Sequence, residues 1–266
     1  MITKYAKDAR IKLTRCNCVE FLSDQCDDAF DLTVTSPPYD SLREYDGAVS
    51  VFQFEDIASE LYRTTKKGGV VVWIVADQTK NGSESLTSFR QALHFRELGF
   101  RIHDTMIWHK KNPMPLTHNR YEQAFEYMFV LSKGKPKTFT PELDLCATQG
   151  ESRAGSTHRH DCNQLGATHG STVVNSHKIP HNVWLQGVKG KGHHPAAFPE
   201  ALAAKHIASW SAVNDVVFDP MMGSGTTGVA AVKAGRLFVG CEYNKKYFGY
   251  AKRDILNATA RKAAGR

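Results

Sequence analysis

Apolar and polar positions along this chain keep switching between two periods. "IKLTRC" and "AFDLTVTS" carry the short apolar alternation of strands, and "CVEFLSD" between them has the spacing of a short helix. In "VFQFEDIASELYRTTKKGG", Phe54, Ile57, Leu61 and Tyr62 recur at helical spacing, and Gly68-Gly69 is the expected helix stop. "VVVWIVAD" is a continuous β-branched run, as expected of a strand covered on both faces. "SLTSFRQALHFRELGF" reads as an amphipathic helix ending at Gly99. "RIHDTMIWHK" and "YEQAFEYMFVLSKG" read as further strand or strand–helix pieces. Later come the helical "FPEALAAKHIASW", then "VVFD", "TTGVAAVKAG" and "RLFVGCE" as strand, helix and strand. Strands alternating with helices predict an α/β fold on a mostly parallel sheet.

The pattern lapses over residues 140–192. This stretch is rich in Gly, Ser, Thr, Asn, Gln and His, and has little periodicity. Seven of the twelve histidines (His158, His160, His169, His177, His181, His193 and His194) lie between Thr140 and Pro195. Such a composition suits an insertion that carries polar recognition loops and not core.

Composition narrows the class. The chain has 266 residues, 41% of them hydrophobic, which supports a real core. No apolar run is long enough to span a bilayer, and the charged start "MITKYAKDARIKL" lacks a secretory apolar region. Six scattered cysteines form no disulfide framework, and neither Cys16-x-Cys18 nor "HRHDC" has zinc spacing. Reduced thiols in a cytoplasmic protein without a metal are the expectation. A formal net charge of +7 and a pI near 9.0 suit a polyanionic partner such as nucleic acid. Lys110, Lys111, Arg120, Lys133 and Lys137 are among the candidates for a phosphate-tracking face.

Two stretches carry chemistry. In "DVVFDPMMGSGTTGVAAVKAGRLFVGCEYN", Gly223, Gly225 and Gly228 make a G-x-G-x-x-G turn between a strand and a helix. The next strand ends in Glu242. This is a complete βαβ unit, and a carboxylate at that place can hold two ribose hydroxyls of an adenosine-containing ligand. NAD and S-adenosylmethionine both fit it. The other stretch, "DLTVTSPPYDSLREYDG", separates them. A buried strand runs into Ser36, Pro37, Pro38 and Tyr39, and neither proline can donate to a ladder. An exocyclic base amine is a poor nucleophile, because its lone pair is delocalised into the ring. Acceptors at the Ser36 hydroxyl and the Pro37 carbonyl can pull it towards a tetrahedral geometry, while Tyr39 offers a ring on which a flipped-out base can stack. A nicotinamide enzyme has no evident use for such an elbow.

Together "TSPPY" and "FDPMMGSGTT" resemble the amino-group DNA methyltransferases. The catalytic motif comes first, as in the permuted β-class order. "RYEQAFEYMFVLSKGKPKTF", "HNVW" and "HHPAAFPEAL" resemble stretches common in these enzymes, so the likeness covers most of the chain. The resemblance implies a class I S-adenosylmethionine-dependent methyltransferase fold, Rossmann-like, with an inserted target-recognition region. It divides the chain into a catalytic half over 1–139, the insertion over 140–192 and a cofactor-binding half over 193–266. It implies catalytic roles for Ser36, Pro37, Pro38 and Tyr39. It places Asn17, Thr35, His194, Pro195, Phe198, Asp219, Pro220, Gly223, Gly225, Thr226, Thr227, Glu242 and Tyr243 around the cofactor. Cys16-Asn17 stands where the family usually has Gly-Asp, so the adenine acceptor there is an uncharged amide. The Thr-Ser-Pro-Pro-Tyr form resembles the cytosine-N4 enzymes most, with adenine N6 as the alternative base. RNA or protein amine methylation and a non-catalytic DNA-binding descendant are further alternatives. Duplex DNA is the implied partner, and a homodimer and a cognate restriction endonuclease are partners the resemblance admits.

Overall fold

The computed structural model describes residues 3–7, 10–38, 52–113, 119–153, 172–188 and 198–263. Two units are distinguishable, one formed by Met1–Thr140 with Asn182–Arg266 and the other by Pro141–His181. Among the described residues no helix is long and apolar enough to cross a membrane.

The first unit holds a nine-stranded sheet. Its strands in chain order are β1 (Thr3–Lys7), β2 (Ile11–Arg15), β3 (Phe30–Thr35), β4 (Thr65–Val75), β5 (Arg101–Lys110), β6 (Phe125–Ser132), β7 (Val183–Gln186), β8 (Val216–Asp219) and β9 (Leu237–Cys241). Across the sheet the order is β1-β2-β9-β8-β3-β4-β6-β5-β7. From β2 to β4 all neighbours are parallel. Strand β6 runs antiparallel between β4 and β5, β7 is parallel to β5, and β1 is an antiparallel edge. The parallel strands therefore all end at one edge of the sheet, near Arg15, Thr35, Val75, Lys110, Gln186, Asp219 and Cys241. Strand β8 has its chain successor β9 on one side and β3 on the other. Crevices at such switch points, outside the carboxyl ends of the strands, are where open α/β sheets bind ligands.

Both faces are covered. Alternate residues of β4 divide between two cores, Val70, Val72 and Ile74 into one and Val71, Trp73 and Val75 into the other. The first core includes residues of α4 (Glu200–Trp210), α5 (Thr226–Lys233) and α6 (Lys245–Ala263). The second includes residues of α1 (Cys18–Ser23), α2 (Phe54–Thr64) and α3 (Thr87–Glu97). Burial on two faces explains why β4 reads as an unbroken apolar run.

The expected helix stop at Gly68-Gly69 is corrected. Helix α2 ends at Thr64, the Thr65 hydroxyl donates to the Leu61 carbonyl at 2.6 Å, and β4 begins there. The glycines serve the strand instead. Gly68 has φ +81° and exchanges backbone hydrogen bonds with Lys133 and Lys137. A Cβ on Gly69 would lie 2.8 Å from the Lys66 carbonyl oxygen. "YEQAFEYMFVLSKG" resolves as strand, with β6 over Phe125–Ser132.

The stretch expected as one insertion over 140–192 divides. Pro141–His181 is the second unit, with short antiparallel ribbons pairing Ser152–Arg153 with Thr172–Val173 and Asp144–Leu145 with His177–Lys178. Residues 183–186 join the main sheet as β7, in register with Ile107–Lys110, because "VWLQ" can pair along the edge of β5.

Candidate active site

Strand β3 is buried over its whole length and delivers the elbow to the edge where the parallel strands end. Ser36 and Pro38 are half-buried and Pro37 is buried. Tyr39, His194 and Pro195 lie outside the described residues. Thr35 is fully buried, and its hydroxyl donates to Asp219 Oδ1 at 2.8 Å. Thr35 thereby ties the elbow strand to β8 at Asp219. Thr227 is also fully buried, and its hydroxyl donates to the Val34 carbonyl at 3.1 Å, which ties α5 to β3 as well.

The turn after β8 is built by its glycines, for two separate reasons. Pro220 is buried at the strand end. Gly223 has φ +51°, and its N–H donates to Glu242 Oε2 at 2.9 Å. Gly225 has φ +85° just before α5, and a Cβ there would lie 2.9 Å from Ala251 Cα. On Gly228 a Cβ would meet Ile255 Cδ1 at 2.5 Å and Phe238 Cε1 at 2.6 Å. The first glycine thus shapes the turn, while the other two let α5 approach α6 and β9 closely. Thr226 opens α5 and is buried.

Two carboxylates face this turn. Asp219, 2% exposed, accepts from Thr35 and from the Met221 N–H at 3.1 Å. Glu242 is half-buried and accepts from Gly223 and from the Asn244 N–H at 2.7 Å. Burial pushes the Asp219 carboxyl up to about 6, against the opposing hydrogen bonds of Thr227, Thr35 and Met221. Burial likewise pushes Glu242 up to about 7, with the N–H groups of Asn244 and Gly223 opposing. Among the described residues no Lys or Arg forms an ion pair with either carboxylate. The pair therefore suits a ligand that brings hydroxyl donors and positive charge. Tyr243, beside Glu242, is 63% exposed.

Asn17, Phe198 and Trp184 each make contacts within the protein. Asn17 caps α1, its Oδ1 accepting from the Val19 N–H at 2.8 Å, so the oxygen expected to meet adenine already holds a helix end. Phe198 is buried and belongs to the core packed under α4. Trp184, in the family-like "HNVW", packs its ring 4.6 Å from that of the buried His206. Burial pushes His206 down to about 3, so it stays neutral. The thiols of Cys16 and Cys241 are 3.4 Å apart without a disulfide between them, and lie buried beside Asn17 and Glu242. Burial pushes the neighbouring Cys18 thiol up to about 12.

At this edge Asp77 escapes sequence reasoning. Asp77, just past β4, accepts from the Ser88 N–H at 2.9 Å and from the Ser88 and Ser85 hydroxyls. It thereby holds the start of α3, where Leu86 adopts φ +52°. Its one sequence signal is an acid two residues past a buried strand. Lys110 pairs with the buried Glu126 at 2.8 Å and lies 5.5 Å from the Trp108 ring. Lys133 and Lys137, expected to track phosphates, instead pair with Asp28 at 2.9 Å and Asp31 at 2.8 Å.

A family model described as DNA methylase, N6_N4_Mtase, matches residues 30–253. The orphan methyltransferase M.BamHII of Bacillus amyloliquefaciens is 45% identical over 248 residues, covering 87% of this chain and 90% of that protein. DNA adenine methyltransferase YhdJ of Escherichia coli (strain K12) is 27% identical over 246 residues, covering 86% of this chain and 78% of that protein. A solved M1.HpyAVI complex with S-adenosylmethionine matches with a TM-score of 0.62 at 23% identity, covering 91% of this chain and 98% of that one. That likeness bears out the class I, Rossmann-like α/β fold.

Proposed function

We propose that this chain, which belongs to the DNA methylase family described by N6_N4_Mtase, transfers a methyl group from S-adenosylmethionine to the N4 amine of cytosine in duplex DNA. The observation that carries this reading is the tie between the elbow and the carboxylates. Through the Thr35 hydroxyl, the strand that presents Ser36 is bonded to Asp219, on the neighbouring strand of the turn. Acceptor groups for an amine and a carboxylate pair for a cationic cofactor thus share one edge.

Bound there, S-adenosylmethionine supplies an electrophilic methyl on a sulfonium. Its ribose diol and positive charge match Glu242 and Asp219, two carboxylates with no cationic partner among the described residues. Glu242 accepts the ribose hydroxyls. Asp219 lies deeper, and together with the Gly223–Thr226 turn it sets the methionine end. Ser36 Oγ and the Pro37 carbonyl accept the two amine hydrogens and turn the nitrogen lone pair towards the methyl. Tyr39 stacks on the extruded base, and His194 and Pro195 flank the cofactor. Proximity and orientation supply most of the acceleration in such a site. A carbon–nitrogen bond forms as the carbon–sulfur bond breaks, and the amine proton leaves to solvent. No covalent bond to the protein is required. The second unit, Pro141–His181, with its polar loops, reads the target sequence.

Ser36 favours cytosine, because a neutral hydroxyl stands where adenine-N6 enzymes more usually carry an acid or an amide. The adenine specificity in the name of YhdJ favours the alternative base. The test is to incubate the protein with S-adenosylmethionine and mixed-sequence unmethylated duplex DNA, digest to nucleosides, and identify products by mass and retention. N4-methylcytosine is the expected product. N6-methyladenine overturns the base assignment and keeps the site. No methylated nucleoside, with the cofactor still bound, overturns the function.

A further inference from the structure

Outside the candidate active site, the first half of α6 lines an open groove of about 610 Å³ with Lys245, Lys246, Gly249, Tyr250 and Arg253. Three of these five residues are cationic and none is acidic. Along the whole helix Lys245, Lys246, Lys252, Arg253, Arg261 and Lys262 face a single acid, Asp254. Arg253 meets Asp254 at 2.8 Å, with side chains 50% and 36% exposed. Pairs this exposed are weak in water, so the guanidinium can be recruited by another anion. It lies 5.4 Å from the Tyr250 ring. Gly249 leaves the floor open, since a Cβ there would meet nothing within 4 Å.

The groove is anchored to the site. Asn244 donates its N–H to Glu242 and accepts from the N–H groups of Lys246 and Tyr247 at 2.9 and 3.1 Å. The basic face therefore begins three residues beyond Glu242, at the edge where the parallel strands end. Positions 245, 249 and 253 stand four apart, on one face of the helix. They extend roughly 12 Å at 1.5 Å per residue. Along the duplex axis one strand places a phosphate about every 3.4 Å, so a face laid along that axis would pass three or four phosphates.

Resting on the function proposed above, we infer that this groove is a second DNA contact, a track for the phosphates of duplex flanking the target base. It contributes affinity and salt dependence, and it makes no contact with the reacting amine. The test compares the wild-type chain with a Lys245→Gln/Lys246→Gln/Arg253→Gln variant. A control, Lys67→Gln/Arg90→Gln/Arg96→Gln, removes the same charge from exposed positions elsewhere on the unit. Affinity for a mixed-sequence duplex is measured from low to moderate salt, with S-adenosylmethionine affinity checking the fold. Each lost phosphate contact lowers the slope of log affinity against log salt by about 0.9. The expected result is a groove variant whose slope falls by about 2 to 3 and whose DNA affinity drops at least tenfold. The control should stay within twofold of wild type. An unchanged slope overturns the inference, and so does an equal loss in the control. The slope is read without methyl transfer, so absence of methylated nucleoside in the wild type would instead count against the proposed function.

Discussion

Where the parallel strands begin, Asp31 is 4% exposed and meets Lys66 at 2.7 Å, Lys137 at 2.8 Å and the Val216 N–H at 2.9 Å. Burial alone would raise its carboxyl, but the two lysines outweigh burial and hold it below the usual carboxylate range. Where the same strands end, Asp219 and Glu242 meet hydroxyls and backbone N–H groups but form no ion pair with Lys or Arg among the described residues, and burial raises both. One edge is neutralised by the chain's own cations. The other keeps negative charge that no Lys or Arg among the described residues pairs with, an arrangement that marks a site more often than a scaffold.

Breaking the neutralised edge should cost most. Asp31→Ala removes the acceptor of two lysines and of the start of β8, and should destabilise the fold by about 2 to 4 kcal/mol in denaturant unfolding. With its folded pKa depressed, the Asp31 contribution is present above the ordinary carboxylate range and lost as pH falls below it. Next in size, Glu242→Gln should weaken S-adenosylmethionine binding about 30-fold, roughly 2 kcal/mol, while stability moves little. Equal loss of stability from both changes would erase the contrast between the edges. Smallest, Thr35→Val keeps shape but cuts the tie to Asp219. It should lower kcat about tenfold with little change in cofactor KM, and Thr35→Ser should restore it. A shift in KM alone would return Thr35 to the role of cofactor ligand.

Much of this architecture is legible in the sequence where it is local. The βαβ unit ending at Glu242 and the elbow after β3 announce themselves through short apolar runs broken by Gly or Pro. What the pattern hides depends on distant partners. Thr35 and Thr227 look like motif residues facing a ligand, yet their hydroxyls bond across 184 and 193 positions of chain. The polar "TKYAK" gives no strand signal, because β1 is a short antiparallel edge strand without an apolar alternation. Helix α6 buries only Phe248, Ala251, Ile255 and Ala258 in nineteen residues, too sparse a stripe to stand out. Gly68-Gly69 mimics a helix stop because tight backbone approach and helix termination call on the same residue.

The most direct measurement is the pH dependence of S-adenosylmethionine affinity, by calorimetry, in wild type and Glu242→Gln. A folded pKa raised to about 7 means that Glu242 holds a proton below that value and must release it to accept two hydroxyls. Its contribution to the stability of the ligand-free protein is accordingly present at low pH and lost as pH rises through about 7. Affinity in the wild type should therefore rise as pH passes through about 7, with a proton released on binding, and the variant should lose that rise. Identical pH profiles in the two proteins would contradict the assignment of Glu242, and of the unneutralised edge, to the cofactor.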